Sequence, residues 1–199
     1  KSFFEEAMQW VEKIKTQRGE GKISSDGLIT TSSPMENESL VLINLKDSRY
    51  VAQIINKQNY SIYRLTDTFS NSYFEVVPAR GATITSFNVA GKELLYCPDI
   101  TKSGGIPVLW PFANRIREGR FSFRGIEVDL FTVKEESKRV PVKGCKDDGK
   151  GNIYHGMVRY EDWLVEEINV DDRGVFIRLF LDTRDYPAIE KYFGTSEVT

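Results

Sequence analysis

The chain has 199 residues, of which 40% are hydrophobic and 28% are charged, and its formal net charge is -2. This length is sufficient for one domain with a hydrophobic core of its own. The nearly balanced charge gives no general attraction to nucleic acid or to an anionic membrane surface, and no apolar run approaches the roughly 20 residues of a membrane-spanning helix, so we expect neither partner.

The cysteines and the N-terminus bear on the cellular compartment. Cys97 and Cys145 are far apart and lack the spacing of a metal site, which predicts two reduced thiols. The first residues, K-S-F-F-E-E-A-M, carry acidic groups where a signal peptide requires an apolar core. We therefore expect a cytoplasmic location, with an organellar one as the alternative.

Residues 1–57 are predicted to form an N-terminal α+β extension. A helix is predicted over residues 2–16, because S-F-F-E at its start has the form of a capping box and apolar residues then recur at helical spacing. Residues 16–39 are rich in Gly, Ser, Thr and charged residues, which indicates a linker. The apolar residues of 40–45 and 50–55 predict a pair of strands.

From residue 58 to residue 199, short β-strands alternate with turn signals. This pattern favours a mainly β fold, an antiparallel β-sandwich or barrel. Hairpins are predicted around Arg124–Gly125 and around residues 171–174, and residues 135–151 are predicted to be an exposed loop that carries Cys145. The other predicted strands are Tyr60–Thr66, Tyr73–Pro78, Thr83–Val89 and Glu93–Tyr96.

Two segments carry residues suited to ligand recognition. Residues 104–120, G-G-I-P-V-L-W-P-F-A-N-R-I-R-E-G-R, place Asn114 and Arg115 after a rigid run of Gly and Pro. Residues 152–159, N-I-Y-H-G-M-V-R, contain His155, the only histidine of the chain. A guanidinium presents five donors in one plane, and an imidazole forms hydrogen bonds or exchanges a proton near neutral pH. Together these groups suit a small polar ligand such as a sugar.

Residue types alone leave a purely structural interpretation open. The glycines and prolines also suit a turn, Arg115 also suits a solvated charge, and a single histidine such as His155 is more often structural than catalytic. Arg159 follows His155 by four residues, and we expect it to face the same cavity. The sequence has no Walker-type loop, dinucleotide fingerprint or Cys/His cluster, so we predict no cofactor and no metal site.

Residues 74–163 resemble the first part of the aldose 1-epimerase family, which includes the galactose mutarotases and a hexose-6-phosphate 1-epimerase-like branch. The A-N-R-I and G-R-F segments resemble the galactose mutarotases, whereas G-G-I-P and H-G-x-x-R resemble the sugar-phosphate branch. The matching segments are F-E-V-V-P-A-R-G-A-T-I-T-S-F at 74–87, G-G-I-P-V-L-W-P-F-A-N-R-I at 104–116, G-R-F at 119–121, and H-G-M-V-R at 155–159 with Trp163 after it.

This resemblance implies a mutarotase-like β-supersandwich that interconverts the α and β anomers of a sugar without a cofactor. It implies that Asn114, Arg115 and His155 bind the sugar and that Arg159 contacts a phosphate. His155 is also the one candidate for a catalytic role. Anomer exchange requires an acid that protonates the ring oxygen and a base that removes the proton of the anomeric hydroxyl.

The family also uses two groups that have no counterpart here. Its general-acid histidine and its glutamate base lie beyond the region that this sequence matches, and the sequence has no second histidine. We therefore expect the N-terminal part of an epimerase domain, an incomplete sandwich whose open sheet edges suit self-association or a partner chain. Two functions stay open: anomer interconversion of an aldose or hexose phosphate if the domain is completed, and non-catalytic binding of a sugar or sugar phosphate.

Overall fold

The computed structural model describes residues 28–32, 39–43, 48–133 and 138–193, so the predicted helix over residues 2–16 lies outside the described residues. The described chain forms two compact units. The first consists of the residues up to Val77 together with Ile84–Gly105 and Val165–Leu179, and the second consists of Pro78–Thr83, Ile106–Leu164 and the residues from Phe180 onward. No helix in the described ranges has the length and apolar character needed to cross a membrane.

The described residues are mainly β. The strands are β1 Leu28–Ser32, β2 Ser39–Ile43, β3 Tyr50–Lys57, β4 Tyr60–Asp67, β5 Ser72–Val77, β6 Thr83–Val89, β7 Lys92–Glu93, β8 Arg115–Ile116, β9 Arg120–Phe123, β10 Ile126–Asp129, β11 Phe131–Val133, β12 Arg139–Pro141, β13 Ile153–Tyr154, β14 Leu164–Val170 and β15 Val175–Phe180. Short 3-10 helices span Pro78–Arg80, Arg117–Gly119 and Thr183–Asp185, and one α-helix, α1, spans Pro187–Phe193.

The first unit is built on a sheet in which β1 to β7 lie side by side in sequential order. β3 and β4 pair antiparallel from Tyr50↔Asp67 to Lys57↔Tyr60, and Gln58 and Asn59 join them with φ values of 50° and 66°. Two positive φ values in a two-residue loop match the right-handed twist of the flanking strands. The boundary that the sequence suggested between residues 57 and 58 therefore falls inside this hairpin.

The second unit contains the two-stranded pairs β9–β10, β11–β12 and β8–β13, together with α1. Its core is formed by apolar side chains that are fully buried: Leu130, Ile153, Met157, Val158 and Ile189. Gly119 lies against this core, because a Cβ at this position would come within 2.6 Å of the Phe131 ring. The chain bearing β8 is therefore packed closely against the strands that follow it.

The expected mainly β, antiparallel class is confirmed, and so are both predicted hairpins, which are β9–β10 and β14–β15. The predicted strand at Glu93–Tyr96 is shorter than expected. The Glu93 carboxylate accepts hydrogen bonds from the backbone N–H groups of Phe87 and Leu95, both at 2.9 Å. A side chain that binds the main chain in this way competes with the strand ladder, and β7 ends at Glu93.

Three further segments differ from the sequence-based description. β1 lies within residues 16–39, where a linker was predicted. Residues 135–151 are not wholly an exposed loop, because β12 pairs with β11 there and Cys145 is buried. The helix α1 follows Tyr186, where the sequence indicated only the end of a strand; Pro187 occupies the first helical position, which proline tolerates well.

Candidate functional site

Two backbone hydrogen bonds and a strand pair join the segments that contain the predicted site residues. β8 and β13 pair antiparallel with Arg115 opposite Tyr154. The N–H of His155 donates to the carbonyl oxygen of Asn114 at 2.8 Å, and the N–H of Met157 donates to that of Trp110 at 2.7 Å. Asn114, Arg115 and His155 are thus brought together, although Arg115 and Tyr154 are 39 positions apart in the sequence.

Left-handed backbone conformations occur at the point where these segments meet. Asn114 has φ 60°, His155 has φ 63° and Gly156 has φ 77°. A Cβ on Gly156 would lie 2.3 Å from the backbone carbonyl oxygen of Trp110, so only glycine permits this approach. Non-glycine residues adopt positive φ rarely, and such conformations cluster at functional sites.

Arg115 is held by the loop that precedes β13. Its Nε donates to Oδ2 of Asp148 at 3.0 Å, and its guanidinium carbon lies 5.9 Å from the centre of the Tyr154 ring. The Arg115 side chain is 55% exposed, whereas that of Asp148 is only 8% exposed. The guanidinium therefore presents its other donors to solvent while its Nε is fixed by a nearly buried carboxylate.

The neutral form of His155 is favoured at neutral pH, because the pKa of its imidazole is lowered. Burial lowers the pKa of its imidazole below the usual 6.5, and the positive charges of Arg159 and then Arg115 lower it further. The ring meets the Tyr154 ring edge-on, with 5.1 Å between the centroids. Its Nδ1 is buried, and within the described residues no partner accepts from it or donates to it. A polar atom in this state suits a ligand or a water molecule.

Arg159 contacts a different aromatic ring from Arg115. Its guanidinium carbon is 5.0 Å from the centre of the Tyr160 ring. The Lys146 ammonium is 5.6 Å from the same ring, and the hydroxyls of Tyr154 and Tyr160 are 3.4 Å apart. These distances are within the range of cation–π attraction. The Tyr154 and Tyr160 rings therefore connect Arg115 with Arg159 and Lys146.

The backbone around Arg159 is fixed by residues 78–81. The N–H of Gly81 donates to the Glu161 carbonyl oxygen at 3.0 Å, and a Cβ on Gly81 would overlap the carbonyl oxygen of Arg159 at 1.8 Å. The Tyr186 hydroxyl donates to the Glu161 carboxylate. Burial, followed by that carboxylate, raises the pKa of the Tyr186 phenol. Arg159 thus extends from a segment whose main chain has little freedom.

The sequence did not single out Asp148, Tyr154 or Tyr160. Asp148 lies in D-D-G-K-G-N, and Asp followed by Gly is a turn signal in which the carboxylate binds the nearby backbone. That signal identifies the loop but not the contact with Arg115. Among the residues described, no group of three or more His, Cys, Asp and Glu side chains is arranged to hold a metal ion.

Comparison with known protein families gives one match. The model of a family described as aldose 1-epimerase matches residues 64–195, which is more than half of the chain. The matched range begins within β4 and includes Asn114, Arg115, His155 and Arg159.

Proposed function

The chain belongs to the aldose 1-epimerase family, and on that premise we propose that it binds an aldose or a hexose phosphate and, where the acid and the base of the reaction are supplied as well, interconverts its two anomers. The proposed binding residues are Asn114, Arg115, His155 and Arg159. The observation that carries this proposal is the pairing of β8 with β13, which places the Asn114–Arg115 dipeptide next to His155.

Each proposed residue suits one part of such a ligand. The Arg115 guanidinium keeps donors for sugar hydroxyls while Asp148 holds its Nε. A neutral imidazole at His155 offers one donor and one acceptor, which matches the hydroxyl or the ring oxygen of a sugar. The Arg159 guanidinium, on the Tyr160 side, suits a phosphate.

Anomer exchange is an isomerisation by proton transfer. An acid protonates the ring oxygen, a base removes the proton of the anomeric hydroxyl, and the ring opens and closes again with the configuration at C1 inverted. A neutral His155 is able to accept a proton but carries no extra proton to donate. We therefore assign His155 to binding, with a secondary role in accepting a proton.

Saturation-transfer NMR on glucose, galactose and glucose 6-phosphate tests the reaction, because it measures exchange between the anomers directly. If the chain catalyses the reaction, exchange is faster than in buffer and Arg115→Ala reduces it. Arg117→Ala is the matched control, since Arg117 is 91% exposed and lies two residues away. Exchange at the buffer rate with every sugar excludes catalysis by this chain.

The second candidate function is binding without catalysis. It is favoured by one observation: the sequence has a single histidine, and burial lowers the pKa of its imidazole below 6.5, so the protonated form that a general acid requires is the minor form at neutral pH. Titration calorimetry with the same sugars tests this candidate. Saturable binding without faster anomer exchange identifies binding without catalysis. An Arg115→Ala variant that binds as tightly as the unaltered chain shows that Arg115 is not part of the binding site.

Two further expectations stay proposals. We propose a cytoplasmic location, which cell fractionation tests. We also propose that the chain self-associates or pairs with a partner chain through sheet edges. Light scattering on the purified chain tests the first form of association, because a mass equal to that of one chain at every concentration excludes it.

A further inference from the structure

Asp148 lies at the centre of a hydrogen-bonded loop beside the proposed sugar site. Its Oδ1 accepts from the backbone N–H groups of Lys150 at 2.9 Å and of Asn152 at 3.2 Å. Its Oδ2 accepts from Nδ2 of Asn152 at 3.1 Å and from Nε of Arg115 at 3.0 Å. Each carboxylate oxygen therefore has two donors, and the orientation of the carboxylate is fixed.

The loop is anchored on the strand side as well. Oδ1 of Asn152 accepts from the backbone N–H of Glu118, two residues after the end of β8, at 3.2 Å. Asn152 therefore holds Asp148 through its amide nitrogen and holds the chain next to Arg115 through its amide oxygen. The hydrogen bond from Asn152 is the main cause of the low pKa of Asp148, about 2, and the carboxylate is ionised at neutral pH.

Arg115 needs such an anchor. Arginine carries about 2 kcal/mol of rotamer entropy, and an exposed guanidinium without a rigid partner samples many orientations. Here the partner is nearly buried and is itself held by three other hydrogen bonds. A pre-ordered donor loses less entropy when it binds a ligand. Asp148 thus determines where the remaining Arg115 donors point.

The same contact changes the net charge at Arg115. One guanidinium paired with one carboxylate has no net charge, so it still donates hydrogen bonds to neutral hydroxyls but attracts a phosphate dianion less strongly. Arg159 differs, because a second cation, Lys146, lies over the same Tyr160 ring. Arg115 and Arg159 therefore offer different environments to a sugar and to a phosphate.

We propose that Asp148 is a positioning and specificity-determining residue: it orients the Arg115 guanidinium toward sugar hydroxyls and, by cancelling its charge, disfavours a phosphate group at Arg115. The specificity part of this inference rests on the proposed function. The positioning part concerns Arg115 and Asp148 alone.

Asp148→Asn is the test variant, because it keeps the shape of the side chain and removes the charge. Asp147→Asn is the matched control in the same loop. The Asp147 carboxylate accepts from the backbone N–H groups of Gly149 at 2.8 Å and of Gly151 at 3.0 Å, so it supports the turn. Urea unfolding of both variants establishes that they fold.

The first readout is the rate at which the Arg115 Nε–H exchanges with solvent. NMR measures this rate without any ligand. We expect Asp148→Asn to speed this exchange about tenfold or more, as expected for the loss of a charge-assisted hydrogen bond. We expect Asp147→Asn to leave it within about twofold of the unaltered chain. Equal exchange in the unaltered chain and Asp148→Asn, or equal acceleration in both variants, overturns the positioning role.

The second readout is the affinity for glucose and for glucose 6-phosphate, measured by calorimetry. We expect Asp148→Asn to weaken glucose binding about tenfold and to raise the affinity ratio of glucose 6-phosphate to glucose at least about threefold. A purely structural effect lowers both affinities together. An unchanged ratio, or the same change in Asp147→Asn, overturns the specificity role.

These readouts separate the two proposals. If the unaltered chain binds neither sugar, the proposed function fails and the specificity role fails with it, while the exchange of the Arg115 Nε–H still decides whether Asp148 positions Arg115. If the unaltered chain binds sugar and the ratio does not change in Asp148→Asn, the proposed function stands and only the role of Asp148 is lost.

Discussion

The backbone N–H of His155 donates to the carbonyl oxygen of Asn114 over 2.8 Å, and both residues have left-handed backbone conformations, with φ values of 63° and 60°. Asn and His are among the non-glycine residues that tolerate this region best. The two segments of the candidate site are therefore joined through their main chains. That junction therefore determines the relative positions of the Arg115 and His155 side chains.

Gly156→Ala is expected to disrupt this junction. A Cβ at position 156 would lie 2.3 Å from the carbonyl oxygen of Trp110, which is backbone and has no rotamer to change. We expect the free energy of unfolding to fall by roughly 3 kcal/mol or more, since the steric overlap adds to the left-handed penalty of about 1–2 kcal/mol for a side chain. Urea unfolding measures the change.

Gly125→Ala is the matched control for this variant. Gly125 has φ 76°, nearly the φ of Gly156, but a Cβ there would meet no atom within 4 Å. This variant should therefore lose only the left-handed penalty of about 1–2 kcal/mol. Equal losses in the two variants would contradict the close approach of Gly156 to Trp110.

The pKa of His155 is expected to lie below 6.5 in the folded chain. Burial lowers it first, and the charges of Arg159 and Arg115 lower it further, in that order. NMR titration of the ring protons needs no assignment, because the sequence has a single histidine. Arg159→Met should raise the titration midpoint more than Arg115→Met, and the exposed Arg117→Met should leave it unchanged. A midpoint at or above 6.5 in the unaltered chain contradicts the buried setting.

The sequence predicted the elements that are encoded locally. Arg124–Gly125 marks the β9–β10 turn, and the structure gives both residues positive φ, 51° and 76°. Contacts between distant residues were not predictable in this way. Arg115 and Asp148 are 33 positions apart, and the letters D-D-G-K-G-N indicate only a turn. The proximity of Asn114, Arg115 and His155 was expected from the family resemblance, whereas the ionic partner of Arg115 was visible only in the structure.

The low pKa of His155 also predicts how stability depends on pH. The unfolded chain has the ordinary histidine value of about 6.5, so below that pH it binds a proton more readily than the folded chain does. The free energy of unfolding should therefore fall as the pH drops from 6.5 toward the folded pKa, and level off below it. His155→Asn suits the left-handed backbone and should remove this part of the slope. Urea midpoints of the unaltered chain and of His155→Asn, measured between about pH 7 and about pH 5, test this prediction. If stability falls equally steeply with pH in both proteins, His155 does not cause the pH dependence.

Tyr186→Phe is expected to loosen the segment that carries Arg159. The Tyr186 ring is 4% exposed, and its hydroxyl donates to the Glu161 carboxylate. Loss of a hydrogen bond to a charged group costs about 1.5–3 kcal/mol, which urea unfolding measures. Tyr192→Phe, in helix α1 just after Tyr186, is the control, and because Tyr192 is less buried the cost there should be smaller. A Tyr186→Phe variant as stable as the unaltered chain would show that the hydrogen bond from Tyr186 to Glu161 does not stabilise this segment.

Arg159→Met should separate recognition of the phosphate from recognition of the sugar. Methionine retains much of the apolar stem of arginine but removes the guanidinium, whose carbon lies 5.0 Å from the centre of the Tyr160 ring. If Arg159 contacts the phosphate, the affinity for glucose 6-phosphate should fall about 10- to 100-fold, the value of a charge-assisted hydrogen bond, while the affinity for glucose changes little. Calorimetry with both ligands gives the two values, and Arg117→Met controls for the loss of one positive charge in the same unit. Equal losses for glucose and glucose 6-phosphate would assign Arg159 to the sugar ring or to folding, because only a phosphate contact distinguishes the two ligands.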